Sequence, residues 1–157
     1  MRELHEQVET LLKNGQPRET VLEKILREVL KHFHSETGTI HLLNGEEQLL
    51  HLAAQVGLPP QMIEVVKTIP VGKGIAGQVI AQGKPVTICN LQTDNSGVTK
   101  PGAKQTGVGG ALCVPLRDGE TIAGTIGVGT VRLHEYTPDE TLELEDIGRL
   151  IGKNLNL

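Results

Sequence analysis

The sequence predicts an α+β domain in which helices near both termini enclose a centre of short strands. Three observations carry this expectation. Apolar residues recur at helical spacing near each end of the chain. The centre alternates around an Asn44-Gly45 turn, the mark of a hairpin. Thr137-Pro138-Asp139-Glu140 is a capping-box pattern that opens a final helix. The expected sheet is antiparallel, of five to six strands, with the terminal helices on one face and short helices plus a long loop on the other.

Leu4, Val8, Leu11 and Leu12 share one helical face, and Asn14-Gly15 ends that helix. A second helix starts near Pro17, a residue suited to the first helical position, and Val21, Leu22, Ile25, Leu26, Val29, Leu30 and Phe33 make its apolar stripe. Residues 38–43 and 49–57 form the hairpin, and residues 59–67 read as a short helix. After the capping box, Leu142, Leu144, Ile147, Leu150, Ile151 and Leu155 carry the closing helix. The whole chain, residues 1–157, is expected to be one domain, with helix 1–14 contributing to a dimer seam.

Composition removes several functions. With Trp 0, Tyr 1 and Phe 1, the core is aliphatic and few aromatic platforms exist for stacking bases. A net charge of -4 without a Lys/Arg cluster argues against nucleic acid as a partner. No apolar run approaches the roughly 20 residues that span a bilayer, so no membrane association is expected. Two cysteines make no disulfide framework, which points to the cytoplasm.

Gly72, Gly74 and Gly77 satisfy the G-x-G-x-x-G spacing of a dinucleotide-binding loop. That spacing has meaning only between a buried strand and a helix, and Ile69-Pro70-Val71 is too short to be such a strand. The same segment, with Lys84-Pro85-Val86-Thr87-Ile88 after it, resembles the middle of a GAF domain, a small-molecule-sensing module. The likeness continues through Gly110-Ala111-Leu112-Cys113-Val114-Pro115-Leu116, through residues 121–128 and through Tyr136-Thr137-Pro138. It spans roughly residues 17–155 and implies a ligand cavity between the sheet and the middle helices.

Alternation within the strands sorts their residues. Val86, Ile88, Leu112, Val114, Ile122, Ile126 and Val128 give one bulky face, suited to the terminal helices. The opposite face collects small or polar residues, among them Thr39, His41, His51, Ala53, Gln55, Thr87, Cys89, Ala111, Cys113, Thr125 and Gly127. Hairpin register places Ile40 and Leu42 with Leu50 and Leu52, and His41 with His51. A face of small residues either receives close cover or leaves a cavity. The candidate ligand site is therefore His41, His51, Gln55, Ile75, Val79, Asp94, Ala111, Cys113 and Thr125, closed by the loop from Leu91 to Val108.

Each candidate has a plainer reading. His41 and His51 line a pocket, or form a cross-strand pair bonded to backbone and water. A metal is not expected, because no third ligand stands at suitable spacing. Cys89 and Cys113 form a reversible disulfide, or are small buried hydrophobes. Lys73 and Lys84 flank the covering helix, where the free amides at Gly74 and Ile75 suit an anion, or are solvated surface lysines. Asp94 touches ligand, or caps its own loop. Free methionine-(R)-sulfoxide reductases share the resembled fold, but Pro101-Gly102-Ala103-Lys104-Gln105-Thr106 lacks the cysteine and histidine of their run. The residues around Thr130 and Asp139 match the cyclic-nucleotide signature of the family poorly, and neither cysteine has the neighbouring histidine of bilin carriers.

The resulting expectation is a stand-alone sensor that binds a small metabolite or anion non-covalently and signals through a protein partner as a homodimer. No catalytic residue, no cofactor and no enzymatic activity are expected. The rivals are a ligand-free interaction module and a thiol redox sensor through Cys89 and Cys113.

Overall fold

The structure is a computed structural model that describes residues 2–88 and 109–155. Helices α1 (Arg2–Leu12) and α2 (Arg18–His32) lead into strands β1 (Thr37–Asn44) and β2 (Leu49–Val56). Helix α3 (Pro60–Val66), strand β3 (Thr68–Pro70), helix α4 (Gly74–Gln82) and strand β4 (Val86–Ile88) follow. Strands β5 (Gly110–Asp118) and β6 (Thr121–Thr130) and helix α5 (Pro138–Lys153) complete the chain. The six strands form one antiparallel sheet in the order β3-β2-β1-β6-β5-β4.

Helices α1, α2 and α5 seal one face. Ile40, Leu112, Val114, Leu116, Ile126 and Val128 from the sheet bury against Leu22, Ile25, Leu26, Leu144, Ile147 and Ile151. Each aliphatic side chain buried here contributes about 1.5–3 kcal/mol. Leu4, Val8 and Leu12 are buried in the same core, and α1 contacts both α2 and α5. Three residues of the helix expected to contribute to a dimer seam are thus buried within this chain. Pro17 precedes α2 as its cap rather than opening it, and Thr137 and Glu140 form the expected capping box at α5.

Three imidazole–carboxylate pairs fasten α5: His134 to Glu140 at 3.2 Å, His32 to Glu143 at 2.7 Å and His5 to Asp146 at 3.0 Å. The helix also lies backbone-to-backbone on β5. A Cβ at Gly148 would stand 2.5 Å from the Pro115 carbonyl oxygen, and one at Gly152 would meet that of Arg117.

Two bulges re-sort the faces. In β2, Ile40 pairs with Ala54 but His41 pairs with Leu52, so Ala53 is the extra residue. The slip turns Leu50 toward α4, where it clusters with Ile69, Val79 and Cys113, and sets His51 opposite Leu42 rather than His41. The expected pairing of the two histidines is therefore wrong. In β6, Leu116 pairs with Gly124 but Arg117 with Ile122, making Ala123 the extra residue. A Cβ at Gly83 would stand 3.9 Å from the Ile122 side chain, so Ile122 joins the α4 side and leaves the helix-covered face where it was expected. Val86 and Ile88 pair with Cys113 and Ala111, which reverses the expected sense of β4.

Contact between α5 and β5 without intervening side chains sets a strict test. Gly148→Ala should lower stability by about 2 kcal/mol in denaturant unfolding. Gly45→Ala, where a Cβ meets nothing within 4 Å, should stay within about 0.5 kcal/mol of the parent. Equal effects at the two sites would contradict the close approach.

Candidate functional site

Opposite the helix-covered face, α3 and the start of α4 stand over the sheet beside its edge strand β3 and leave a pocket of about 150 Å³. Its inner wall comes from β1, β5 and β6: Thr37, Thr39 and His41, then Ala111 and Cys113, then Gly127 and Gly129. The outer wall comes from Leu58, Val66, Ile69 and the first turn of α4 at Gly74, Ile75 and Ala76. The space exists because small residues occupy paired sites: Ala111 lies opposite Gly129, and Cys113 opposite Gly127.

The glycine turn before α4 places this wall. Gly72 and Gly74 have φ of 88° and 64°, values open to glycine at little cost. The Gly72 amide donates to the Gly77 carbonyl at 2.8 Å, and a Cβ at Gly77 would stand 2.5 Å from the Pro70 carbonyl oxygen. The three glycines of the G-x-G-x-x-G spacing therefore let α4 fold back tightly over the sheet. Gln78 adds a bond from its amide to the Gly72 carbonyl at 2.8 Å.

His41 is buried and its Nε2 lies 2.8 Å from the Val66 carbonyl oxygen. A carbonyl only accepts, so Nε2 carries the proton and donates, which ties the end of α3 to β1. Burial pushes the Cys113 thiol up to about 12, and a hydrogen bond with Thr125 opposes that shift in part. Thr125 is fully buried, and among the described residues the Cys113 sulfur is the weak companion of its hydroxyl. At neutral pH Cys113 is a neutral thiol.

Of the predicted residues, the structure brings His41, Ile75, Ala111 and Cys113 together in the pocket wall. Thr125 lies behind Cys113, and Val79 is buried beside it in the adjoining apolar cluster. Gln55 instead caps the turn after β2, accepting from the Leu58 amide at 3.3 Å. His51 is half exposed on the other side of the sheet, paired with Glu47 at 3.0 Å. Asp94, Cys89 and the loop from Leu91 to Val108 lie outside the described residues. Sequence reasoning missed Thr37, Leu58 and Ile69. Ile69 pairs with Leu50, and its role follows only once the Ala53 bulge turns Leu50 to this side. Among the described residues, no three His, Cys, Asp or Glu side chains are placed to hold a metal, and no helix is long and apolar enough to cross a membrane.

Residues 15–156 match the family described as GAF domain, and the chain belongs to it. No protein of curated function matches the sequence. The GAF domain of an Acinetobacter phosphoenolpyruvate-protein phosphotransferase is similar in structure, with a TM-score of 0.82 at 17% identity over 98% of this chain and 91% of that one. The free methionine-R-sulfoxide reductase of Neisseria meningitidis, bound to its substrate, gives 0.80 at 18% identity over 99% and 87%. The reduced Staphylococcus aureus reductase gives 0.77 at 18% over 98% and 94%. Enzymes thus share this fold along nearly their whole length, and the expectation that the chain is not an enzyme is overturned.

The Cys113 thiol makes a testable contribution to stability. Folded protein keeps the thiol protonated toward about 12, whereas the unfolded chain ionises it near its ordinary value. Stability is therefore unaffected below that ordinary value and falls as pH rises from it toward 12. Between about pH 9 and 11, wild type should lose up to about 1.4 kcal/mol per pH unit relative to Cys113→Ala, measured by urea unfolding. Parallel curves would show that the thiol is not desolvated.

Proposed function

We propose that this GAF domain binds a small organic molecule non-covalently in the pocket beneath α4 and passes occupancy to a signalling partner. The observation that carries the reading is a pocket of about 150 Å³ whose inner wall includes glycine backbone, an alanine, a thiol, an imidazole and the threonines at 37 and 39. Dry cavities near this size accept guests such as benzene. The pocket adjoins β5, and α5 rests on the other face of that strand through Gly148 and Gly152. A guest that shifts β5 therefore has a direct mechanical route to the helical layer.

Free methionine-R-sulfoxide reductases of the same fold support a second reading in which the bound molecule is also transformed. Free methionine-R-sulfoxide is the substrate class to offer first, because reductases of this fold act on it. Its reduction with a dithiol as electron donor, measured by chromatography, would make the chain an enzyme.

The test is native mass spectrometry of protein purified from its own host, compared with Gly127→Ala. A Cβ at Gly127 would stand 3.5 Å from the Cys113 sulfur and 3.6 Å from the Thr39 hydroxyl, ordinary contacts that narrow the pocket without strain. Wild type should carry a small-molecule adduct, and Gly127→Ala should bind it at least about threefold more weakly while folding normally. His51→Ala should bind as wild type does, because His51 is on the opposite side of the sheet. An adduct unaffected by Gly127→Ala, or lost on His51→Ala, would place the site elsewhere.

A further inference from the structure

The pocket has a graded interior. Thr37, Thr39 and Ile75 are partly exposed at its mouth, whereas Cys113, Ile69 and Ala76 are buried at its floor. The floor adjoins a second apolar cluster in which Leu50 and Val79 are fully buried against Cys113. Among the described residues the floor presents hydrocarbon, a thiol, the hydroxyl of Thr125 behind it and the imidazole of His41, whose Nε2 proton is committed to the Val66 carbonyl.

We propose that the end of the ligand reaching the floor is uncharged and apolar, any charge on the molecule remaining at the mouth beside Thr37 and Thr39. This inference rests on the pocket being a ligand site and adds the chemical class of ligand that fits it. Cys113 is an internal gauge of the floor. The burial that pushes its thiol up to about 12 also disfavours a carboxylate or ammonium placed against it. A hydroxyl and a thiol are weak partners for an ion, and charged groups that lose water without strong partners bind poorly. A hydrocarbon or thioether tail meets no such cost and gains from contact with Ile69, Ala76 and the polarisable sulfur. Selection is thus by the tail of the ligand, with the head left to the hydroxyl-lined mouth.

The experiment uses a series of similar ring size that differs in the number of charged ends. Toluene has none, benzoate has one, and terephthalate has two. Binding to the full chain is measured by NMR titration at neutral pH, with the Cys113 amide as the reporter. Toluene should bind and shift that amide, and benzoate should bind with its ring inward. Terephthalate, which cannot keep both charges at the mouth, should bind at least about tenfold more weakly than benzoate. Cys113→Met, which fills the floor, should weaken toluene by a similar factor, placing the guest at this depth. Terephthalate binding within about threefold of benzoate would overturn the inference while leaving the pocket a ligand site. Failure of toluene to bind at all would overturn the ligand site itself, and this inference with it.

Discussion

Apolar burial against one face of the sheet is the interaction on which the rest of the structure depends. Ile40, Leu112, Val114 and Ile126 are fully buried under α2 and α5, which fixes the sense of β1, β5 and β6. With that face committed, alternation assigns Thr39, His41, Ala111, Cys113 and Thr125 to the other. The pocket is the consequence of what those positions hold. Had they been leucine and isoleucine, the same topology would have closed into a second core. Glycine at 127 and 129 and alanine at 111 leave room instead.

Close backbone contacts recur where elements must be positioned rather than merely buried. Gly77 lets the start of α4 approach Pro70, and Gly148 and Gly152 let α5 rest on β5. Arg117 reinforces the arrangement by donating from its guanidinium to the Gly83 carbonyl at the end of α4. Strand β5 therefore has the pocket on one side and α5 on the other, joined with little compliant side-chain material between. Protein interiors of this density transmit displacement instead of absorbing it. Under the proposed function, ligand and partner therefore need not touch.

Much of this was legible in the residues. Helical periodicity located α1, α2 and α5, the Asn44-Gly45 turn located the hairpin, and Thr137 and Glu140 announced the last helix. The resemblance to the GAF family supplied the order of the later strands. Four members of the pocket wall, His41, Ile75, Ala111 and Cys113, were named from alternation and covering helices. On β2 and β6 the misplaced residues have one cause. Ala53 and Ala123 are bulge residues, and an alanine in a strand gives no sign that two residues oppose one. Each slip moved the residues beyond it to the other face, which exiled His51 and brought Leu50 and Ile122 toward α4. The glycine spacing at 72, 74 and 77 serves a tight turn between the short strand β3 and α4.

The central claim is that the space between α4 and the sheet accepts a guest. Xenon is the most direct probe, being apolar, uncharged and small enough for a pocket of about 150 Å³. In a crystal pressurised with xenon, an ordered atom is predicted between Cys113, Ala111 and Ile75. A pocket that stays empty, or is filled by the protein's own side chains while xenon occupies another site, would contradict it.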